Sequence, residues 1–385
     1  MSLFPSSEEL AIRDAVRGIC APYAEGYARS KHAEGKPPTE LWAALAEAGF
    51  IGIRVAPEWG GGGAGISELA VVVEEVAAAT GTLPGMVVVS AAISGPILST
   101  HGTESQKERW LRGIADGTVK MAFAVTESDA GSNTHELRTE LRRDGEGYRL
   151  NGSKTFISAV EDADAILVIA RMRNADGTLG LPTLVVVDVD CVGFTRKPIP
   201  MQFIGPEQQW QLFFDDIPIE SDRLIGGENG GLPVLFDGLN PERIIGAAIA
   251  CGIARRALEK AASYARDREV WGVPIGSHQG IAHPLAEAKI SLELARLMMQ
   301  KAAALQDARA CGAGEAANIA KYAGAEAALQ AVDAAVQAHG GNGLTIEYGV
   351  SDLWFAARLA RIAPISREMI LNFVAQHSLK LPRSY

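Results

Sequence analysis

Two stretches of the 385-residue chain carry residue types suited to holding a flat, anionic ligand. The first, Met-Ala-Phe-Ala-Val-Thr-Glu-Ser-Asp-Ala-Gly-Ser at 121–132, starts as an apolar strand and ends in small and acidic turn residues. Ala130, Gly131 and Ser132 lack bulk, so successive backbone N–H groups there can converge on an anionic group. The second, Leu-Asn-Gly-Ser-Lys-Thr-Phe-Ile-Ser at 150–158, has a hairpin signal at Asn151-Gly152 and then alternates into Phe156-Ile157-Ser158. A planar ring fits between backbone donors on one stretch and an aromatic wall on the other. Taken alone, the first stretch reads equally well as a plain β-turn after a strand.

The totals narrow the possibilities. A chain of 385 residues exceeds one ordinary domain and suggests two or three. No apolar run is long enough to cross a bilayer. The polar start, Met1 to Leu10, lacks a basic segment followed by an apolar one, so a cytoplasmic location is expected. Cys20, Cys191, Cys251 and Cys311 lie far apart and read as ordinary buried thiols in a reducing compartment. The histidines form no metal-binding pair, so no metal site is expected. A net charge of −10 argues against a nucleic-acid partner, and any attraction for an anionic ligand must be local.

The elements that must position the two stretches follow in three blocks, an α+β arrangement. Ser6-Ser7-Glu8-Glu9 offers a capping box for a helix through Arg29, with Ile12, Val16, Ile19 and Cys20 on one face. Thr39 to Ala48 reads as another helix. Gly60, Gly62 and Gly65 formally spell Gly-x-Gly-x-x-Gly after the apolar run Ile51 to Val55. The helix that follows, Ser67 to Thr80, leads to no second strand ending in an acid, so a dinucleotide fold is disfavoured. From Val119 to Phe214 the pattern turns to period two, with strands at 165–170, 184–189 and 211–214 and turns at Asp144-Gly145, Asn151-Gly152 and Asp176-Gly177. No helix of useful length intervenes, which predicts a mainly antiparallel β domain. Long Ala-rich helices follow at 244–266, 283–308 and 315–339.

Thr126-Glu127-Ser128-Asp129-Ala130-Gly131-Ser132, followed by Phe156-Ile157-Ser158, resembles the acyl-CoA dehydrogenase family of FAD flavoproteins. In that family a strand ending Thr-Glu-x-x-Ala-Gly-Ser borders the flavin, and a Trp-Ile-Thr triplet covers its ring. The resemblance extends over essentially the whole chain. It implies an N-terminal α-helical domain (1–118), a middle antiparallel β domain cradling the flavin (119–228) and a C-terminal four-helix bundle (229–385). It also implies FAD contacts from Phe123, Val125, Thr126, Gly131, Ser132, Phe156, Ile157, Ser158 and Ser366. Asn133 replaces the family's usual Asp after Gly-Ser.

The implied reaction is α,β-dehydrogenation of an acyl-CoA thioester to the trans-2-enoyl-CoA. A carboxylate takes the α-proton, the β-hydrogen leaves as hydride to flavin N5, and electrons pass to an electron-transfer flavoprotein. Many relatives use the Glu of a Tyr-Glu-Gly-Thr loop near the C-terminus as the base. The matching loop here reads Ala363-Pro364-Ile365-Ser366, and proline can be neither base nor backbone donor. Isovaleryl-CoA and long-chain acyl-CoA dehydrogenases instead carry the base on the first long helix of the bundle, just before an arginine. Asn240-Pro241-Glu242-Arg243 occupies that place, so the resemblance makes Glu242 the base, with Ser132, Asn240 and Arg243 as substrate contacts. The residues alone allow another reading, in which Asn240 caps a helix, Pro241 is its first residue and Glu242 complements its dipole.

Arg268-Glu-Val-Trp271-Gly272 and Gln279 match an Arg-x-x-Phe-Gly…Gln element that reaches the FAD of a neighbouring subunit in the family. Gln337, Gly340 and Gly341 match a turn that packs on its adenosine part. Arginine suits a pyrophosphate because its fork pairs two oxygens. Sharing of this kind implies a homotetramer built as a dimer of dimers. Arg268 also reads as a solvated helix-end charge, and Gly340-Gly341 as a helix stop. Pro364 supports one alternative, other flavin chemistry on the same scaffold, of nitroalkane-oxidase or desulfinase type. A separate alternative, the DNA-associated branch of the fold, calls for a basic surface that the net charge of −10 does not supply.

Overall fold

Ser6 opens the first helix as the sequence predicts, its hydroxyl accepting the Glu9 N–H at 3.0 Å. The computed structural model describes residues 6–24, 26–82, 85–202, 205 and 207–383. Helix α1 (Ser7–Cys20) does not run on to Arg29. Pro22 enters a 3-10 turn, and Gly26, at φ +74°, restarts the chain as α2 (Tyr27–Glu34). After α3 (Thr39–Glu47), residues 51–55 form turns instead of a strand, so the glycine-rich run has no strand to follow. Gly65 leads directly into α4 (Ile66–Thr80), with the Glu68 carboxylate accepting the Gly65 N–H at 2.8 Å. A π-helical segment, Val87–Ser94, continues into α5 (Gly95–His101), and α6 (Glu104–Gln106) and α7 (Arg112–Asp116) close the first block.

The middle block is one sheet of β1 (Met121–Ala124), β2 (Glu140–Asp144), β3 (Gly147–Ser158), β4 (Ala165–Arg173), β5 (Leu179–Asp188), β6 (Phe194–Ile199), β7 (Gln209–Ile219) and β8 (Leu224–Ile225). Its order is β6-β7-β3-β2-β4-β5-β8, mostly antiparallel, with β1 and β2 pairing parallel to successive stretches of β4. The Asn151-Gly152 turn is overturned. Strands β2 and β3 turn at Gly145-Glu146, since Asp144 pairs with Gly147. Asn151 and Gly152 lie inside β3 at a bulge opposite β7, where Gly152 takes φ +145° and a Cβ would stand 2.7 Å from Thr139 Cα. Asp176-Gly177 does turn β4 into β5, the Gly177 N–H reaching Asn174 O at 3.0 Å.

Helix α8 (Gly231–Asp267) begins well before the expected Ile244 and carries Pro241 in its interior. The capping reading of Asn240-Pro241 therefore falls. A ribbon of β9 (Glu269–Val270) and β10 (Val273–Pro274) leads to α9 (Gln279–Asp307), α10 (Ala313–His339), α11 (Asp352–Leu359) and α12 (Arg367–Phe373). Helices α8, α9 and α10 pack along one another, with α11 against α8 and α10, and α12 against α10. Among the described residues no helix is long and apolar enough to cross a membrane.

The blocks are joined by buried apolar and ionic contacts. Ile93, Ile97 and Leu98 meet Phe123, Leu167 and Val186 of the sheet, and the same cluster reaches Val234 and Leu235 at the start of α8. Helix α4 lies against α8 so closely that a Cβ on Gly252 would stand 2.4 Å from Glu74 O. Beside that crossing Glu74 and Glu75, both fully buried, pair with arginines from three helices. Arg13 of α1 reaches them at 3.2 and 2.7 Å, and Arg255 of α8 at 3.4 and 2.6 Å. Arg296 of α9 stands 2.9 Å from Glu74. Burial without these partners would cost several kcal/mol per charge, so the network binds α4 to its neighbours as one unit.

Candidate functional site

The fold brings the two sequence stretches together. Where β1 ends, the Thr155 N–H donates to Thr126 O at 2.9 Å, and Lys154 Nζ donates to Val125 O at 2.7 Å. Lys154 also lies 2.8 Å from Glu127 Oε1. The other Glu127 contacts are the N–H groups of Arg138 and Thr139, at 2.7 and 3.0 Å. Burial pushes the Glu127 carboxyl upward, but the Lys154 charge and these bonds hold it below its usual range. Sequence reasoning missed Lys154. The available signal was a lysine inside the strand run 150–158, with an acid, Glu127, in the matching motif.

Glu127 and Ala130 close a tight turn by exchanging backbone hydrogen bonds, so Ala130 N–H is already engaged and Ala130 is buried. The expected converging donors therefore reduce to Gly131 and Ser132, joined by Asn133. These three exposed residues have N–H groups that meet no acceptor among the described residues. Phe123 is buried, with Val125 and Thr126 half-buried beyond it. A second bulge in β3, between Lys154 and Ile157, breaks the expected alternation. It puts Phe156 at φ +56° with 56% of its surface exposed, while Ile157 is buried. Ser158 is half-buried and its hydroxyl accepts from Gln209 Nε2 at 2.8 Å. Unengaged N–H donors beside an outward aromatic face form a donor set that fits the acceptor-rich edge and flat ring of FAD.

Glu242 sits on α8 one turn past the point where Gly238 packs against Ile97 and Ile93. Burial pushes its carboxyl up to about 7, against the pull of the Arg243 guanidinium and the Lys321 ammonium. A carboxylate titrating there suits proton abstraction near neutral pH. Arg243 does not clasp Glu242. Its Nη1 donates to Asn240 Oδ1 at 2.9 Å, and among the described residues no Glu242–Arg243 pair lies within 4.0 Å, so it acts on the carboxylate through charge. Pro364 lies over the next turn of α8, its Cδ 3.6 Å from where a Cβ of Gly246 would be. The proline loop thus borders the helix that carries Glu242. Ser366, expected at the cofactor, caps α12 and accepts the Met369 N–H at 3.3 Å.

The remaining candidates stand elsewhere. Arg268 ends α8, about 39 Å along the helix from Glu242 at 1.5 Å per residue. Trp271 and Gly272 form the tip of the β9–β10 ribbon, where Trp271 is 86% exposed. Gln279, Gln337, Gly340 and Gly341 are exposed at the start of α9 and the end of α10. A groove of about 300 Å³ joins these two ends, lined by Gly280, Ile281, Pro284, Gln330 and Gln337 among others. Within one chain Arg268 therefore stands far from Glu242, at the end of the bundle where α9 starts and α10 stops. His339 is buried against Tyr264 with Nδ1 on Ala335 O at 2.8 Å, a packing role.

Comparison with known proteins matches this architecture along its length. The sequence models of the acyl-CoA dehydrogenase N-terminal, middle and C-terminal domains match residues 6–118, 122–217 and 229–379. The acyl-CoA dehydrogenase FadE12 of Mycobacterium tuberculosis (strain H37Rv) is 52% identical over 385 residues, covering 100% of this chain and 99% of its own. A 3-(aryl)acrylate reductase of Clostridium sporogenes is 31% identical over 381 residues, covering 98% and 100%. The structure of butyryl-CoA dehydrogenase from Megasphaera elsdenii superposes with a TM-score of 0.93 at 27% identity, covering 98% of this chain and all of the other. The chain belongs to the acyl-CoA dehydrogenase family.

Proposed function

We propose that this enzyme oxidises an acyl-CoA thioester to the trans-2-enoyl-CoA, with Glu242 as the base for the α-proton. When bound, FAD, the cofactor of the family, would supply the hydride acceptor for the β-hydrogen, with an electron-transfer flavoprotein as the onward electron acceptor. The observation that carries the reading is Glu242 itself, a half-buried carboxyl pushed up to about 7 on the helix face that Pro364 borders. Proline at 364 cannot serve as base, and Glu242 stands one turn away on the facing helix. Arg243 and Lys321 favour the ionised form that accepts a proton. Gly131, Ser132, Phe156 and Ser158 bind and orient the ring, and Asn240 and Arg243 sit where the substrate would pass.

The split between the two groups of candidate residues supports cofactor sharing between copies of the chain. Arg268, Trp271, Gln279, Gln337, Gly340 and Gly341 then complete the site of a neighbour. Ile290, Leu294 and Leu297, exposed by 61, 63 and 50% along one face of α9, provide an apolar surface for such packing. The assembly proposed is a homotetramer, a dimer of dimers, acting in the cytoplasm.

The test is anaerobic mixing with a panel of acyl-CoAs, followed by visible absorbance. The wild-type protein bleaches with one substrate class. Glu242→Gln keeps its yellow colour and its acyl-CoA binding but bleaches about 10² to 10⁴ times more slowly. Undiminished bleaching of Glu242→Gln rules out this residue as the base.

A further inference from the structure

Lys321, like Lys154, is a deeply buried lysine that the motifs did not reveal. It lies on α10 with 2% of its surface exposed, on the helix face that carries the buried Ala317, Gly324, Ala325 and Ala328. Burying an ammonium there is costly, and such a charge persists only where something answers it. Among the described residues its one hydrogen-bond acceptor is Ile365 O, at 2.6 Å. Ile365 follows the Pro364 that packs over Gly246, so this bond ties the proline loop to α10 while the proline rests on α8. The charges around the ammonium come from three helices. From α8 it faces Glu242 and Arg243, on α10 itself Glu326, and on α12 Glu368. Glu326 is already taken by Arg361 at 2.8 Å and Arg367 at 3.1 Å, and Glu368 is 73% exposed with Arg367 at 3.7 Å. Glu242 is left as the carboxylate without a close cation of its own.

We propose that Lys321 is a positioning residue for proton abstraction: it fixes the proline loop through Ile365 O and presents a buried positive charge to Glu242. The proposal rests on the assignment of Glu242 as base. A cation in that place favours the ionised carboxylate that accepts the proton over its protonated form. Its own ammonium is pushed down to about 8 by burial, with Glu242 pulling the other way, so its influence is confined to neutral and acidic pH.

The experiment is the pH profile of flavin reduction in Lys321→Met and Lys321→Gln, the glutamine retaining a donor for Ile365 O. Removing the cation raises the pH at which Glu242 ionises, so the acid limb of both variants moves up by about one pH unit. Reduction slows about tenfold on that limb, and the profiles converge with wild type at high pH. A role in packing alone instead lowers the rate equally at every pH, or leaves the limb in place, and either result overturns the proposal. Should the Met variant fail to fold, the Gln variant carries the same comparison. A readout independent of turnover is carbon NMR of glutamate carboxyls in FAD-free protein, where the resonance missing from Glu242→Gln titrates about one unit higher without Lys321. If Glu242→Gln still reduces flavin, the base assignment has failed. If it is inactive while Lys321→Met keeps the wild-type limb, the role of Lys321 alone has failed.

Discussion

Glu127 stands between Lys154 on β3 and the N–H groups of Arg138 and Thr139, so one buried carboxylate joins both halves of the proposed flavin cradle. Lys154→Met leaves that carboxylate buried without its cation. We expect a loss of about 3–5 kcal/mol in urea unfolding, together with loss of bound flavin. The double variant Glu127→Gln/Lys154→Met regains part of the stability, because no lone charge remains inside.

Gly152 is held at a bulge by its backbone and by its neighbour. Any side chain there is strained at φ +145°, and a Cβ meets Thr139 Cα at 2.7 Å. Gly152→Ala therefore destabilises by more than about 1 kcal/mol, read as a lower midpoint in thermal or urea unfolding. The same substitution at Gly145, at the tip of the β2–β3 hairpin with open space around it, costs less.

The raised Glu242 carboxyl has a signature in stability as well as in catalysis. Its ordinary value of 4.5 is raised to about 7 in the folded protein, so the native state binds the proton more tightly than the unfolded chain. Stability from this group is fully present below about 4.5 and is lost as pH rises to about 7. Glu242→Gln removes that loss. The melting temperature of the variant should gain on wild type through this window and keep a constant lead above it, as calorimetry at several pH values would show.

The apolar row on α9 gives a prediction about assembly. Leu294→Asp places a charge in the middle of a face that we propose is covered by another copy. Light scattering after gel filtration should show a smaller species than wild type. The flavin content of that species should fall, since Gln279 and Gln337 would no longer reach a neighbour's cofactor. An unchanged mass with full flavin would place the interface elsewhere.

What the sequence made legible was mostly local. Ser6 announces its helix because the cap bonds only three residues away. The change from period two to long helices marks the sheet and bundle, since both patterns arise from side-chain direction along one element. Asn151-Gly152 misled because a tight turn and a bulge make the same demand on glycine. The choice between them was made by Thr139 and by β7, neither of which is adjacent in sequence. Asn240-Pro241 looked like a helix start because Asn suits an N-cap and Pro the first helical position. Packing of the segment before it on Ile93 and Ile97 overrides propensity. Lys321 was invisible for another reason. A buried lysine is recognisable only through its partner, and Ile365 O comes to Lys321 from another element.

Glu74 and Glu75 carry a consequence for anyone dividing or recombining this chain. Although three sequence domains can be marked along it, the arginines that neutralise one acidic pair come from both ends, Arg13 on one side and Arg255 and Arg296 on the other. Expressed alone, residues 229–385 would lose the carboxylates that Arg255 and Arg296 face, and residues 1–118 would keep two acids with Arg13, and Arg17 at 3.6 Å from Glu75, as their cations among the described residues. Exchange of segments between relatives must therefore move α1, α4, α8 and α9 as a set, and a graft that respects only the boundaries in sequence inherits mismatched charge at its centre.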